Sequence, residues 1–422
     1  MLHYEVQLKN CWDLGAKDEL LFNKTMIIGY FFLFLAMVGI YEIFDVRYFS
    51  AAANAHASGL NPTDPALKEA MRLAVFGDVG EVNRNIPWTL FIVNYMYMIY
   101  TGSGVIFIVA LAELMGFHVI AKAAAGFMAV GLSMVFAGLF TIATDLNMLN
   151  MLWMVLTPNI SAGMWLMLPL YCTYIPFVLF EIYLLLTNKR EWAKRLALPI
   201  LVLSIGVDLV EYYIQAKLFS MNTARHLWTE FPFLTFYFII SAFVSSLGVM
   251  GIYSYLVHKN KEEYNELMDL IRKAMLFFVS ILALYEVFGY MAVDKDWSFL
   301  ILFGPFKPIY FGGYILLTLA LPFFFIFKPG KSLYTLLASV CVVIGGFVGR
   351  YIFVYGGNAN PMSNRFGLGY EKYDFYALEK SFNYVAPHLG EVLIVVGSLG
   401  VIMIVYKVFD SILSVSDFRE HH

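Results

Sequence analysis

Asp208 and Glu211 stand three residues apart within "ILVLSIGVDLVEYYIQAKLF", a stretch otherwise made mostly of aliphatic and aromatic side chains. That spacing puts both carboxylates on one face of a helix. Two neighbouring carboxylates in an apolar setting do not both carry a charge cheaply, so the pair reads as a proton-accepting group. Asp145, Glu286 and Glu391 fall in or at the ends of similar apolar runs, as does Arg350. An ionisable side chain near the centre of a membrane helix costs at least ~2.5 kcal/mol and normally faces a cavity or a partner. The alternative use of these acids is to pair with Arg225, Arg350 or Lys217, or to reach the membrane interface. Glu113, Glu181 and His118 lie near the ends of their runs, where snorkelling explains each by itself. Together with Glu286 they could mark a proton route, although their spacing does not require one.

The elements that position these groups follow from composition. Of 422 residues, 60% are hydrophobic and 14% charged, and the mean hydropathy is +0.71, so the chain is an all-α integral membrane protein. Runs long enough to cross a bilayer number ten: 25–44, 87–115, 119–145, 161–187, 194–214, 231–257, 272–292, 308–327, 332–355 and 385–408. Residues 2–24 include Lys9, Asp13, Lys17, Asp18, Glu19 and Lys24, which leaves no apolar signal-peptide centre, so the first span is expected to be retained. A cytoplasmic N-terminus puts Lys122, Lys189, Arg190, Lys194, Arg195, Lys259, Lys261, Arg272, Lys273, Lys328 and Lys331 in short inner loops. The positive-inside rule then sets both termini in the cytoplasm, in the inner membrane of the cell. The long connections 46–85, 148–160, 215–230, 293–307 and 356–384 fall outside and form a docking face.

The second span, beginning "IPWTLFIVNYMYMIYTGSG", is echoed by the sixth, beginning "FPFLTFYFIISAFVSSLG". Each has a proline at its start and small residues about four turns later, which permit close helix approach. The echo divides the chain into two four-helix bundles plus two flanking helices. The expected units are an N-terminal cytoplasmic segment at 1–24, the first span and its outer loop at 25–85, and a first bundle at 86–214. A second bundle at 215–355, an outer loop with the tenth span at 356–409, and a cytoplasmic tail at 410–422 follow.

Cofactor chemistry is constrained by what is missing. Cys11, Cys172 and Cys341 are far apart, so the chain cannot complete an iron–sulfur or structural zinc site alone, and no metal site is assigned. None of the eight histidines is mid-span, which argues against axial haem ligation. The net charge of -3 gives no case for a nucleic-acid partner. Two function classes remain, a quinone-reactive subunit and a proton- or cation-coupled transporter without a redox role.

A quinone head group needs hydrogen-bond donors, an acid–base group and an apolar slot near the membrane surface. The outer ends of spans two to five offer Asn94 and Tyr95, Asp145 and Asn147, Asn159, Ser161, Met164 and Trp165, then Asp208, Glu211 and Tyr212, followed by Arg225 and His226. Asp145, Asp208 and His226 lead as proton-handling or hydrogen-bonding residues, and the others shape the head-group pocket. The rival assignment gives Glu286, Arg350 and Glu391 a proton path. A transporter typically shows a broken helix with polar groups at mid-membrane, and no such strong break is legible here.

The order "PWTLFIVNYMYMIYTGSG", "FAGLFTIATDLNMLNMLWMVLTPNISAGMWLM", "ARHLWTEFPFLTFYFIISAFVSSLG", "GRYIFVYGG" and "YVAPHLGEVLIVVGSLG" resembles the NrfD/PsrC family of polysulfide-reductase-type membrane subunits over about residues 86 to 409. It is most similar to the long ten-helix branch, which includes membrane subunits of certain hydrogenases, of alternative complex III and of sulfur-metabolism complexes. Where the family has Asp-Leu-Gly-Arg-Pro, this chain has Asp145, Leu146, Asn147, Met148 and Leu149; Pro158, Asn159, Ser161 and Met164 match the pattern that follows. Arg225 and Trp228 match an Arg, Trp, His pattern in which Thr229 replaces the histidine. The resemblance implies a respiratory membrane subunit without haem or cluster. It would exchange electrons between menaquinone or ubiquinone, as an exchangeable substrate, and an iron–sulfur partner on the outer face. A molybdenum, hydrogenase or multihaem subunit would complete the complex, with membrane lipids around it and proton translocation as a coupled process.

Overall fold

The computed structural model describes residues 21, 23–44, 88–145, 157, 163–186, 191–221, 228, 233–292, 304, 306–328, 332–359 and 386–416. Most of the predicted outer loops, the N-terminal segment and the end of the tail lie outside the described residues. With no water in the hydrocarbon to satisfy peptide groups, apolar segments close their hydrogen bonds internally, and the described chain is helical throughout its spans.

The helices are α1 Lys24–Phe44, α2 Leu90–Leu114, the short α3 His118–Lys122, α4 Ala124–Asp145, α5 Gly163–Leu186 and α6 Glu191–Ser220. They continue with α7 Phe233–Val257, α8 Tyr264–Ala292, α9 Lys307–Ile326, α10 Ser332–Ala359 and α11 Leu389–Leu413. Among the described residues nine of these are long and apolar enough to cross a membrane. The remaining predicted span, the seventh at 272–292, lies within α8, whose first turns carry Glu266, Asp269, Arg272 and Lys273. Several boundaries differ from expectation, two of them with a clear local cause. The third span is preceded by a separate helix, α3, because the chain turns at Gly116, which has φ 77°, a left-handed conformation that favours glycine. The fifth runs six residues past its predicted end, since Gln215 and Lys217 continue the helix rather than stop it.

Each of α2, α4, α5 and α6 packs on the next to close one ring, and α7, α8, α9 and α10 close a second. Close approach between α2 and α4 depends on Gly102 and Gly131, where a Cβ on either would collide with the other's carbonyl oxygen. α11 pairs along α1 and rests on α4.

The two rings meet along a seam where α2 lies against α7 and α10. Ser246 Oγ donates to the Thr101 carbonyl at 2.8 Å, and the Tyr100–Phe238 and Phe107–Phe243 ring centroids are 4.9 and 5.0 Å apart. From Tyr100–Phe238 through Gly104–Ala242 to Phe107–Phe243 the contacts advance along both helices, so the two echoed segments run parallel. Arg350 of α10 fills the seam, with its guanidinium 5.0, 5.3 and 4.7 Å from the ring centroids of Tyr100, Tyr237 and Phe238. It also donates to Ser241 Oγ at 2.7 Å.

In α9, residues Tyr310–Ala320 form a π-helix, and the Leu321 N–H reaches back to the Leu316 carbonyl. Pro322, which has no N–H to donate, follows directly. This wide turn is a departure from the unbroken helices read in the sequence, and such turns recur at functional positions.

Candidate functional site

α5 and α6 are antiparallel neighbours whose buried polar side chains follow helical spacing: Tyr171, Tyr174 and Glu181 on one, Ser204, Asp208, Glu211 and Gln215 on the other. These intervals of three, four or seven keep each set on one face, so the two sets meet. Tyr171 donates to Glu211 Oε1 at 2.8 Å and receives a hydrogen bond from Gln215 Nε2 at 2.7 Å. Gln215 also donates to Glu211 at 3.3 Å, and the hydroxyls of Tyr171 and Tyr95 are 3.3 Å apart. Glu211 and Gln215 are each 1% exposed, and Glu211 Oε2 has no hydrogen-bond partner. The cluster therefore joins a carboxylate, two phenols and an amide, with acceptor capacity left over on the acid.

Asp208 lies one turn along α6, fully buried, with neither carboxylate oxygen in a hydrogen bond. The Tyr174 hydroxyl lies beside it without the geometry of a full hydrogen bond, and is likewise unpartnered. Among the described residues no lysine or arginine hydrogen-bonds to Asp208 or Glu211, so pairing with Arg350 or Lys217 does not account for them.

The other predicted residues separate into several places. Tyr212 turns toward α2, donating to the Tyr100 carbonyl at 3.0 Å and stacking on the Tyr100 ring. Asn94 ties three helices together through Thr141 Oγ1 at 2.8 Å and Ser398 Oγ at 3.0 Å, leaving Oδ1 buried and unpartnered. Asp145 closes α4 one turn beyond Thr141 and is half-buried. Trp165, in the first turn of α5, is half-buried with an unpartnered, buried indole N–H. Met164 begins the same helix, but its side chain lies outside the description, as do Asn147, Asn159, Ser161, Arg225 and His226. Trp228 is fully buried, donates to the Phe353 carbonyl at 3.1 Å and packs against Trp88, 4.6 Å between centroids.

The proposed proton-path residues are in the second ring and on α11. Glu286 accepts from Tyr310 at 3.0 Å and Tyr314 at 2.5 Å, both from the π-helical turns of α9. Tyr237 lies within electrostatic reach of both Glu286 and Arg350, linking these two across the ring. Glu391 is in the first turn of α11, behind the N-cap His388, whose Nδ1 accepts from the Gly390 N–H at 3.1 Å.

Tyr171, Tyr174 and Gln215 were missed by the sequence reading. Phenols and amides are common in membrane helices, and only the stripe shared with Asp208 and Glu211 distinguishes these three. Among the described residues no group of three or more His, Cys, Asp or Glu side chains could hold a metal ion.

A family model described as "Polysulphide reductase, NrfD" matches residues 78–361, about two thirds of the chain, taking in both rings. No curated protein matches.

Proposed function

The chain belongs to the polysulphide reductase NrfD family, whose members are membrane subunits of quinone-linked oxidoreductases working with iron–sulfur and catalytic subunits, and from that premise we propose that it binds quinone and quinol at the Tyr95 end of the first ring. Electrons would pass between that site and an iron–sulfur subunit docked on the outer face of the cytoplasmic membrane. A molybdenum, hydrogenase or multihaem subunit would complete the respiratory complex, and proton translocation would be coupled to turnover.

The single observation that carries this reading is the Tyr95–Tyr171–Glu211–Gln215 cluster. Phenol and amide donors suit the carbonyl oxygens of a quinone, menaquinone or ubiquinone, and the carboxylate accepts or returns the proton that accompanies each electron. The buried indole N–H of Trp165, at the same end of α5, is a further donor without a present use. Asp145, Asp208 and His226 keep their proposed proton-handling roles, while Asn94, Asn159, Met164, Tyr212 and Arg225 shape the surroundings.

The test is Glu211→Gln in the assembled complex. Loss of about 100-fold in quinone-linked turnover with subunits still associated is expected. Undiminished turnover would remove Glu211 from the site. A complex that moves ions across vesicles yet neither reduces quinone nor oxidises quinol would favour the transporter alternative.

A further inference from the structure

Polar groups continue past the Glu211 cluster toward the opposite end of the first ring. Asp208 comes next, 0% exposed and without a hydrogen-bond partner on either oxygen. Glu181 of α5 follows, 4% exposed and accepting from Ser204 Oγ at 3.0 Å. Glu113, in the last turn of α2, completes the row, with Oε1 buried and unpartnered. Each acid lies within electrostatic reach of its successor: Glu211 and Glu181 both act on Asp208, and Glu113 acts on Glu181. At roughly 1.5 Å per residue, α2 carries the chain about 27 Å from Tyr95 to Glu113, close to the thickness of a bilayer's hydrocarbon core.

Among the described residues no cation compensates this row: no ion pair includes Glu113, Glu181, Asp208 or Glu211, and Arg350 reaches Tyr100 and Tyr212 instead. Buried carboxyl groups without a counter-ion favour the protonated form over a lasting charge, and a carboxyl group that passes between the two forms both donates and accepts a proton. The groups around Asp208 are the same kind of relay partner: Tyr174 from α5, and Glu211 and Tyr212 from its own helix. A metal-ion path is a poorer fit, because these acids are strung out one at a time and not gathered into a cage.

We infer that Asp208, Glu181 and Glu113 form a proton conduit through the first ring, joining the quinone site at Glu211 to the membrane face at the Glu113 end. The inference rests on the quinone reading above. By the positive-inside assignment that face is the cytoplasmic one. Reduction of one quinone consumes two electrons from the reduced iron–sulfur partner and two protons drawn through the conduit, giving quinol. Oxidation of quinol runs the same balance backwards, returning two protons by the same route. Electrons entering from one face and protons from the other make each turnover electrogenic.

The conduit is tested with the whole complex in proteoliposomes, by pH indicators on both sides and a potential-sensitive dye. The wild type should take its quinone protons from the Glu113 side and develop a potential. Glu181 lies away from the Glu211 cluster, so Glu181→Gln should cut turnover at least about tenfold while leaving the KM for quinone unchanged, and Glu181→Asp should restore it. Quinone turnover with protons taken from the Tyr95 side, or with Glu181→Gln fully active, would overturn the conduit and leave the quinone reading standing. Absence of quinone turnover in the wild-type complex would remove the quinone reading itself. Turnover that depends on sodium at fixed pH would overturn the assignment to protons.

Discussion

The Tyr171 hydroxyl sits between Glu211, to which it donates at 2.8 Å, and Gln215, from which it accepts at 2.7 Å. A phenol held from both sides has a fixed proton position, which points its O–H at the carboxylate. Tyr171→Phe removes that donor while keeping the ring. On the proposed function, quinone-linked turnover should fall by about 10- to 100-fold with assembly intact, and Gln215→Leu, which frees Tyr171 without removing it, should have the smaller effect. Steady-state kinetics on the two purified variants give the ordering; equal activity in both would detach the cluster from turnover.

Arg350 separates the two rings and holds them together at once. Its charge lies among the Tyr100, Tyr237 and Phe238 rings, and its 2.7 Å bond to Ser241 fixes the side chain's direction. A planar guanidinium can stack and hydrogen-bond simultaneously, and an ammonium cannot. Arg350→Lys is therefore expected to behave almost as badly as Arg350→Gln, each lowering thermal stability in detergent by about 2 kcal/mol or more. A Lys variant as stable as the wild type would show that only charge is required.

His258, one residue beyond α7, is buried against the edges of the Phe127 and Tyr253 rings. Burial lowers its pKa from 6.5 to about 4, and the charge of Lys261 acts in the same direction. Because the folded chain binds this proton less readily than the unfolded one, stability should be fully present above about pH 6.5 and decline as pH falls toward 4. Thermal unfolding in detergent across that window should show the decline, and His258→Gln should flatten it.

Arg272 bonds Asp269 through Nε and Nη2 at 3.0 and 2.7 Å, and its Nη1 donates to the Ile326 carbonyl at the end of α9, also at 3.0 Å. Asp269 is more than a third exposed, so its ion pairs contribute under about 1 kcal/mol. The Ile326 bond spans two helices and lies at a carbonyl terminus that favours positive charge. Arg272→Met should cost more stability than Asp269→Asn, a difference readable by parallel melts of the two variants.

The spans were legible because hydrocarbon solvent imposes a length and an apolarity on each helix, and those constraints are written locally. The division into two rings followed from the echo between α2 and α7, which the fold places side by side. The acids were also visible, since polarity in an apolar run is conspicuous. Their company was not: Tyr171 and Gln215 are unremarkable residues until α5 and α6 are set antiparallel in register. The π-helical turns of α9 were hidden for a related reason. Gly312, Gly313 and Pro322 are ordinary in membrane helices, and only the joint approach of Tyr310 and Tyr314 to Glu286 reveals what the wide turn positions.

The pairing of α1 with α11 has a consequence for biogenesis. The two helices touch through glycines, and at Gly39 and Gly390 a Cβ on either would strike the other's backbone or side chains. During synthesis α1 leaves the ribosome with both rings still to be made before α11 follows, an interval on the order of tens of seconds at roughly 5–20 residues per second. Throughout that time its glycine face lacks the helix that packs on it in the fold, and α11, made only after both rings, is the one that covers it.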